Sequence, residues 1–274
     1  MPSPTTISVD KLSRLYGTPA CPRLVDVRTD EDFAANPRLL PGSVRRSHAL
    51  VSDWSEAFDA PSAIVICQKG KKLSEGVAAW LRHRGVAAES LEGGFEAWLA
   101  ASLPTVPDAR IPARDIQGRS VWVTRARPKI DRIACPWLIR RFVDPGAVFL
   151  FVAPQEVEAV ADRFGATPFD VENVFWSHRG ELCTFDVMVE EFGLTTEPLL
   201  RLTRIVRAAD TARLDLEPEA AGLLAMSLGL SRMFSDDLAQ LDAGMAVYDS
   251  FYRWARDATG EAHNWPSAKA GSSP

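Results

Sequence analysis

The sequence predicts an α/β domain with a parallel sheet and helices on both of its faces, followed by an α+β, mostly helical domain. Short apolar runs alternate with amphipathic helical patterns in the first part of the chain. That alternation is typical of a parallel sheet with crossover helices. Longer helical patterns dominate the second part, and a chain of 274 residues is long enough for two domains.

A proline-containing stretch separates the two parts. Three prolines with little hydrophobic periodicity predict a semi-stiff, extended linker. The last residues are rich in Gly, Ser, Pro and Ala, which predicts a disordered tail. The expected divisions are a first domain at 1–103, a linker at 104–118, a second domain at 119–258 and a tail at 259–274.

The composition predicts a soluble cytoplasmic protein. Hydrophobic residues make up 46% of the chain, charged residues make up 24%, and the net charge of -5 argues against nucleic acid as the main partner. Four widely spaced cysteines without a CxxC pair fit a reducing compartment. The chain has neither a recognisable signal peptide nor an apolar run near the ~20 residues needed to span a bilayer, so we expect no membrane contact. The oligomeric state stays open.

Capping and stop residues mark the ends of the helices predicted in the first domain. Ser8 and Thr29 are expected N-caps, and Gly85 is an expected helix stop. The predicted helices are 9–16, 30–35, 74–84 and 95–101, and the predicted strands are 24–28, 63–66 and 86–91. In parallel sheets the binding site lies at the carboxyl ends of the strands, and one such end is followed by Cys67.

Cys67 opens a short cationic loop with the sequence Cys-Gln-Lys-Gly-Lys-Lys, and a helical pattern follows it. A helix N-terminus and nearby cations favour the thiolate, which is the reactive form of cysteine. We therefore predict Cys67 as the nucleophile. The loop backbone and its lysines are expected to bind an anion; the candidate residues are Gln68, Lys69, Gly70, Lys71 and Lys72.

Two other interpretations of this loop were weighed. Cys67 alone could simply end a core strand, because free cysteine is usually a buried small hydrophobe. Phosphatases and arsenate reductases also place a cysteine in an anion-binding loop. Their loop is larger and is closed by an arginine, whereas no arginine lies between Cys67 and Ser74.

Residues 5–103 resemble a rhodanese (sulfurtransferase) domain. The matching segments are Asp26-Val27-Arg28 with Phe33, Pro41-Gly42-Ser43, Cys67-Gln68-Lys69-Gly70, and the run from Leu91 to Trp98. The resemblance implies that Cys67 takes a sulfane sulfur from a donor such as thiosulfate, forms a persulfide and passes the sulfur to cyanide or a thiol, without a cofactor.

Three positions qualify this resemblance. The sixth loop position is often Arg in the family and is Lys72 here; lysine lacks the bidentate fork, so the identity of the donor stays open. Asp26 and Arg28 are further candidates for substrate binding, with a structural pair at the strand end as the alternative.

The second domain is predicted to begin with two strands and to end in helices. The expected strands are 120–124 and 147–152, and the expected helices are 133–143, 154–164, 185–192, 197–209, 217–228 and 236–258. Arg125, Lys129 and Arg132 follow the first strand, at the start of a helix. Such a place can bind an oxyanion; a solvated turn with its charges paired to acids is the alternative.

A second candidate site is a metal site. His178, Cys183 and Asp186 carry imidazole, thiol and carboxylate groups, all of which are metal ligands. Asp170 and Asp210 offer further oxygens that folding could bring near. A turn histidine and a core cysteine explain the same spacing, so this possible metal ion in the second domain remains a hypothesis.

Residues 119–258 look like the C-terminal domain of chromate-resistance ChrB proteins. Two blocks, 122–142 and 175–186, carry the resemblance, although Arg207 stands where the family usually has His. The resemblance implies chromate sensing or resistance without a settled reaction. Together the two halves predict a sulfurtransferase with small-molecule oxyanion or thiol substrates. The alternative is a chromate-responsive sensor or transcriptional regulator without turnover, in which the first domain is a sensing or interaction module.

Overall fold

The computed structural model describes residues 5–261. The first domain is built on a five-stranded, all-parallel sheet with the strand order β1-β6-β5-β2-β4. Its strands are β1 (Thr6–Ile7), β2 (Arg23–Asp26), β4 (Ser43–Arg45), β5 (Ser62–Ile66) and β6 (Ala87–Leu91). A separate antiparallel pair joins β3 (Arg38–Leu39) to β7 (Val106–Pro107). The predicted parallel sheet is confirmed.

Helices cover both faces of this sheet. They are α1 (Val9–Ser13), α2 (Asp30–Ala35), α3 (Val51–Trp54), α4 (Lys72–His83) and α5 (Gly94–Ala100). Along β5, Ile64 and Ile66 belong to the core that contains Phe95 of α5. Ala63 and Val65 belong to the core formed with α4. Alternate residues of a strand point to opposite faces, so each face of the sheet is buried by its own helices.

Two predicted helix caps are present. The Ser8 side chain accepts a hydrogen bond from the Lys11 N–H at 3.2 Å, and the Thr29 side chain accepts one from the Asp32 N–H at 3.1 Å. These bonds satisfy backbone donors that a helix start leaves free. The helix after the cysteine loop begins at Lys72, two residues before the predicted start at Ser74.

The predicted linker is docked on the first domain. Val106 of β7 is buried and pairs with Leu39 of β3. The Arg38 side chain donates to the Thr105 hydroxyl at 2.6 Å and to its carbonyl at 2.7 Å. The prediction of an extended spacer in solvent is therefore wrong for this part of 104–118.

The second domain has a small parallel sheet and six α-helices within the described residues. The sheet order is β10-β8-β9, and the strands are β8 (Val121–Arg125), β9 (Val148–Val152) and β10 (Thr167–Pro168). The helices are α6 (Asp131–Leu138), α7 (Val157–Phe164), α8 (Thr184–Glu191), α9 (Glu197–Asp210), α10 (Ala220–Met233) and α11 (Asp237–Asp257). A π-helical turn, Ile139–Val143, extends α6. The mostly helical character predicted for this half is confirmed.

The two halves share one hydrophobic core. Tyr16 of the first half lies edge-on to Phe142 of the second, with ring centroids 6.2 Å apart. Phe142 continues this contact to Tyr252 of α11 at 5.4 Å, and its carbonyl accepts the Gly42 N–H at 2.6 Å. Since these aromatic rings are buried against each other, the halves pack as one body.

Two remaining predictions concern the chain as a whole. Among residues 5–261, no helix is both long and apolar enough to cross a membrane. Most of the predicted disordered tail, at 262–274, lies outside the described residues.

Candidate functional site

Cys67 lies immediately after β5, at the carboxyl edge of the parallel sheet. The residue is 5% exposed. Its Sγ accepts the Lys71 N–H at 3.3 Å and lies 3.1 Å from Ser74 Oγ in the first turn of α4. The sulfur is thus at the N-terminal end of a twelve-residue helix, where backbone N–H groups and the helix dipole favour a negative charge.

Gly70 lets the loop close tightly around the sulfur. Its φ is +64°, a left-handed conformation that favours glycine. A Cβ at this position would lie 2.6 Å from Gly94 N and 2.7 Å from Gly93 N, and it would also clash with the Leu91 carbonyl. The loop therefore packs directly on the turn that leads into α5, and this close approach requires glycine.

The same turn holds the start of the loop. The Cys67 carbonyl accepts the Phe95 N–H at 3.0 Å, and the Gln68 carbonyl accepts the Glu96 N–H at 3.1 Å. The Gln68 side chain donates to Glu96 Oε1 at 3.2 Å. These bonds orient Gln68 toward α5, so it contributes to the shape of the loop.

The three loop lysines, Lys69, Lys71 and Lys72, are exposed. Lysine is a flexible point charge, and three of them on a six-residue loop give the rim of the site a positive potential. The rim suits small anions that approach Cys67 from solvent.

Asp26 and Arg28 form a buried ion pair instead of a substrate contact. The Arg28 Nε donates to Asp26 Oδ2 at 2.8 Å, and both side chains are fully buried. The guanidinium also donates to the Arg38 carbonyl at 2.6 Å and lies 3.7 Å from the centroid of the Phe95 ring. The prediction that these two residues bind substrate is wrong, because neither side chain is exposed; they position the strand end beside Cys67.

Both arginines predicted for the oxyanion site in the second domain pair with one acid, Asp170. Arg125 donates to Asp170 Oδ2 at 3.2 Å and to the Asp170 carbonyl at 3.0 Å. Arg132 Nε lies 3.3 Å from the same carboxylate oxygen, while Lys129 is half-buried. The predicted oxyanion site at Arg125, Lys129 and Arg132 is therefore wrong in its two arginines, because both form ion pairs with Asp170.

Cys183 and Asp186 cap helix α8. The Asp186 carboxylate accepts the Cys183 N–H at 3.1 Å, which completes a reciprocal capping box with the Cys183 side chain. Cys183 is fully buried, and Arg207 Nε lies 3.8 Å from Asp186 Oδ2. Helix capping thus accounts for both residues. The predicted metal set of His178, Cys183 and Asp186 is therefore corrected, because Cys183 and Asp186 bond to each other at the start of α8.

His178 is surrounded by three other carboxylates. Its Nε2 lies 3.6 Å from Asp131 Oδ2, 3.5 Å from Asp170 Oδ1 and 3.3 Å from Asp210 Oδ2. Ligand atoms of Asp131, Asp170 and His178 all lie within 4.8 Å of one another. We call these four residues, Asp131, Asp170, His178 and Asp210, the carboxylate–histidine cluster.

The cluster has strongly perturbed electrostatics. Burial raises the pKa of Asp131 well above its usual value, and the charges of Asp210 and Asp170 raise it further. Hydrogen bonds to Asp170 and Asp210 raise the pKa of His178 to about 10. Burial acts to raise the pKa of Asp170, but hydrogen bonds from His178 and Thr184 lower it overall. His178 therefore balances part of the negative charge of the cluster.

Two family models match the chain. The model of the ChrB C-terminal domain matches residues 122–255, and the model of the rhodanese-like domain matches residues 8–101. The chain joins a rhodanese-like domain to a ChrB C-terminal domain. A curated relative, "Protein ChrB" of Cupriavidus metallidurans, is 37% identical over 146 residues, which are 52% of this chain and 43% of that protein. The chain thus matches less than half of that relative's length.

Solved structures also match the rhodanese-like domain. A rhodanese-like domain protein from Staphylococcus aureus is 29% identical, with a TM-score of 0.30 over 34% of this chain and 90% of that one. A thiosulfate sulfurtransferase from Pseudomonas aeruginosa is 26% identical, with a TM-score of 0.31 over 39% of this chain and 20% of that one. The domain assignment rests on the two family models.

The carboxylate–histidine cluster of the ChrB domain is the feature that sequence reasoning missed. Asp131 is absent from the predicted ligand sets, and Asp170 and Asp210 enter the metal hypothesis only as further oxygens. The four residues come from α6, from the loop after β10 and from the end of α9. Ile130, with a φ of +42°, is the one local signal beside Asp131, and a backbone conformation cannot be seen in the sequence.

Ile130 is held in this conformation by other helices. Its N–H donates to Ser227 Oγ at 3.2 Å, and its carbonyl accepts the Tyr248 hydroxyl at 2.9 Å. A β-branched residue at positive φ is strained, and such strain persists only where the surroundings enforce it. Helices α10 and α11 thus fix the start of α6 and the position of Asp131.

Proposed function

We propose that the rhodanese-like domain is a sulfurtransferase that carries sulfane sulfur as a persulfide on Cys67. The observation that carries the proposal is the position of the Cys67 sulfur, which accepts the Lys71 N–H at 3.3 Å at the start of α4. That position favours a thiolate, and a thiolate is the nucleophile in this chemistry.

The reaction with thiosulfate balances without a cofactor. The Cys67 thiolate attacks the outer sulfur of thiosulfate, a new S–S bond forms, and sulfite leaves with the electron pair of the broken S–S bond. An acceptor, cyanide or a thiolate, then attacks the outer sulfur of the persulfide and restores the Cys67 thiolate. With cyanide the product is thiocyanate.

The loop supplies anion stabilisation at both steps. The Lys71 N–H at the N-terminus of α4 faces the sulfur, and the three exposed lysines of the loop add positive charge. Lys72, in the place where the family often has arginine, favours charge attraction over bidentate recognition. We therefore propose a small anionic sulfur donor and use thiosulfate as the test donor.

We further propose that this activity serves chromate resistance. Support comes from the ChrB C-terminal domain in the same chain and from the hydrophobic core that joins it to the rhodanese-like domain. Substrates are small oxyanions or thiols in this proposal, and the cytoplasm is the expected location.

The test is thiocyanate formation from thiosulfate and cyanide by the purified full chain. Wild type is expected to turn over, Cys67→Ser to fall to the uncatalysed level, and Cys21→Ser to keep its activity. Cys21 is the matched control because it is half-buried and outside the loop. Absence of turnover in the wild type, or turnover retained in Cys67→Ser, would overturn the proposal in favour of a sensing or interaction module.

A further inference from the structure

The contacts of His178 within the carboxylate–histidine cluster are longer than ordinary hydrogen bonds. His178 Nε2 lies 3.3, 3.5 and 3.6 Å from three carboxylate oxygens, whereas an N–H···O bond is usually about 2.9 Å long. Ligand atoms about 2.1 Å from a shared cation, in tetrahedral arrangement, are about 3.4 Å apart. The distances from His178 to Asp131 and Asp170 match ligands around a common metal position, and the ligand atoms of these three residues lie within 4.8 Å of one another.

Asp131 provides an independent observation. It is fully buried, and its Oδ1 has no hydrogen-bond partner among residues 5–261. Its Oδ2 accepts one backbone N–H, from Phe185 at 3.3 Å, and lies on the His178 side. Buried carboxylate oxygens are normally hydrogen-bonded or paired with a cation. A cation bound by the Asp131 carboxylate would balance its buried charge.

Asp170 is oriented for the same role by groups outside the cluster. Arg125 and Arg132 hold its Oδ2, and Thr184 Oγ1 donates to its Oδ1 at 2.9 Å. The Oδ1 atom is also the oxygen 3.5 Å from His178 Nε2. Partners of this kind fix the orientation of metal ligands and tune their affinity.

We propose that Asp131, Asp170 and His178 bind a divalent first-row transition metal ion, with Asp210 beside the site. One imidazole nitrogen together with carboxylate oxygens suits Mn²⁺, Fe²⁺ or Zn²⁺. Ca²⁺ prefers an all-oxygen set of six to eight ligands. The His178 side chain is 41% exposed and that of Asp210 is 21% exposed, so one side of the ion faces solvent and can take water or a small anion.

The proposal is tested on the full chain after chelation and desalting. Mn²⁺ binding is followed by the electron paramagnetic resonance signal of the free ion, and Zn²⁺ binding by elemental analysis after gel filtration. Wild type is expected to bind one ion per chain, and Ca²⁺ is expected not to displace it. Asp131→Asn and His178→Gln are expected to weaken binding at least about tenfold, while the exposed Asp162→Asn control is expected to bind like wild type.

Variants of the capping pair decide between the two ligand sets. Cys183→Ser and Asp186→Asn are expected to keep the affinity, because these residues cap α8. Loss of binding in those two variants with retention in Asp131→Asn and His178→Gln would overturn the proposal, as would absence of stoichiometric binding in the wild type.

Thermal unfolding separates a metal ligand from a residue that only supports the fold. Mn²⁺ is expected to raise the Tm of wild type and to leave the Tm of Asp131→Asn unchanged. Without metal, Asp131→Asn is expected to be at least as stable as wild type, because it removes a buried charge without a full set of partners. If Asp131→Asn does not fold, His178→Gln gives the same comparison at a half-exposed position. An equal Mn²⁺-dependent rise in the variants would contradict the assignment.

Discussion

The Cys67 loop and the carboxylate–histidine cluster are opposite in charge and in construction. The loop is one contiguous segment with three exposed lysines around a thiol. The cluster gathers three carboxylates around His178 from distant parts of the ChrB domain. The loop is suited to anions and the cluster to a cation.

The comparison shows that the role of a cationic side chain depends on whether an acid pairs with it. Arg28 is buried on Asp26, and Arg125 and Arg132 are paired with Asp170. These arginines build the sites and do not bind substrate, whereas the lysines of the loop remain exposed. The planar, multiply donating guanidinium suits buried pairing, and the flexible ammonium suits a mobile anion.

The largest expected effect comes from Cys67→Ser, which should abolish turnover and leave metal binding unchanged. Without the thiolate no persulfide can form, so thiosulfate-dependent turnover should fall to the uncatalysed level. Mn²⁺ affinity should stay that of wild type, because the metal ligands lie in the other domain. A parallel loss of metal binding would show that the two sites depend on each other.

Arg28→Met is expected to have the next largest effect, on stability. It leaves the buried Asp26 carboxylate unpaired, which costs about 3–5 kcal/mol, measured by urea unfolding. Arg14→Met, at an exposed pair with Asp10, serves as the control and should change stability little. The double variant Asp26→Asn/Arg28→Met should recover part of the loss; if it is no more stable than Arg28→Met, the unpaired charge is not the cause.

Gly70→Ala and Gly76→Ala should change stability in opposite directions. A Cβ on Gly70 meets backbone atoms at 2.6 and 2.7 Å in a left-handed conformation, so we expect a loss of about 1–3 kcal/mol together with lower turnover. Gly76 lies exposed in α4 with nothing within 4 Å of an added Cβ, so alanine should add about 0.5–1 kcal/mol. Calorimetric unfolding of both variants checks the pair, and a loss of the same size in each would contradict the packing argument.

The smallest expected effect comes from the loop charges. Changing Lys69, Lys71 and Lys72 together to Gln should raise the KM for thiosulfate roughly tenfold, with a smaller effect on kcat. The salt dependence of kcat/KM should weaken, because exposed charges act over a screened distance. Lys11→Gln, in α1, controls for the loss of a surface cation. An unchanged KM would mean that the backbone N–H groups alone hold the anion.

Much of the fold and the position of the Cys67 loop could be predicted from the sequence, because the signals for them are local. The Cys67 loop is contiguous, and its strand, glycine and helix are each visible within a few residues. The Ser8 and Thr29 caps were predicted for the same reason, since a cap bonds a backbone group three residues away.

The parts that could not be predicted depend on long-range pairing. The sequence could not show which acid pairs with Arg125, because that acid, Asp170, lies 45 residues further along the chain. His178 is a predicted ligand candidate, but the candidate ligands that follow it in the sequence, Cys183 and Asp186, bond to each other at the start of α8. Spacing along the chain shows which ligand types are present and not which of them meet.

Native mass spectrometry of the full chain, after treatment with thiosulfate and Mn²⁺, reads both sites in one experiment. Wild type is expected to gain one sulfur atom and one metal ion. Cys67→Ser should lose only the sulfur, and His178→Gln should lose only the metal. A wild-type chain that gains neither, or a single substitution that removes both, would contradict the assignment of anion chemistry to Cys67 and cation binding to the carboxylate–histidine cluster.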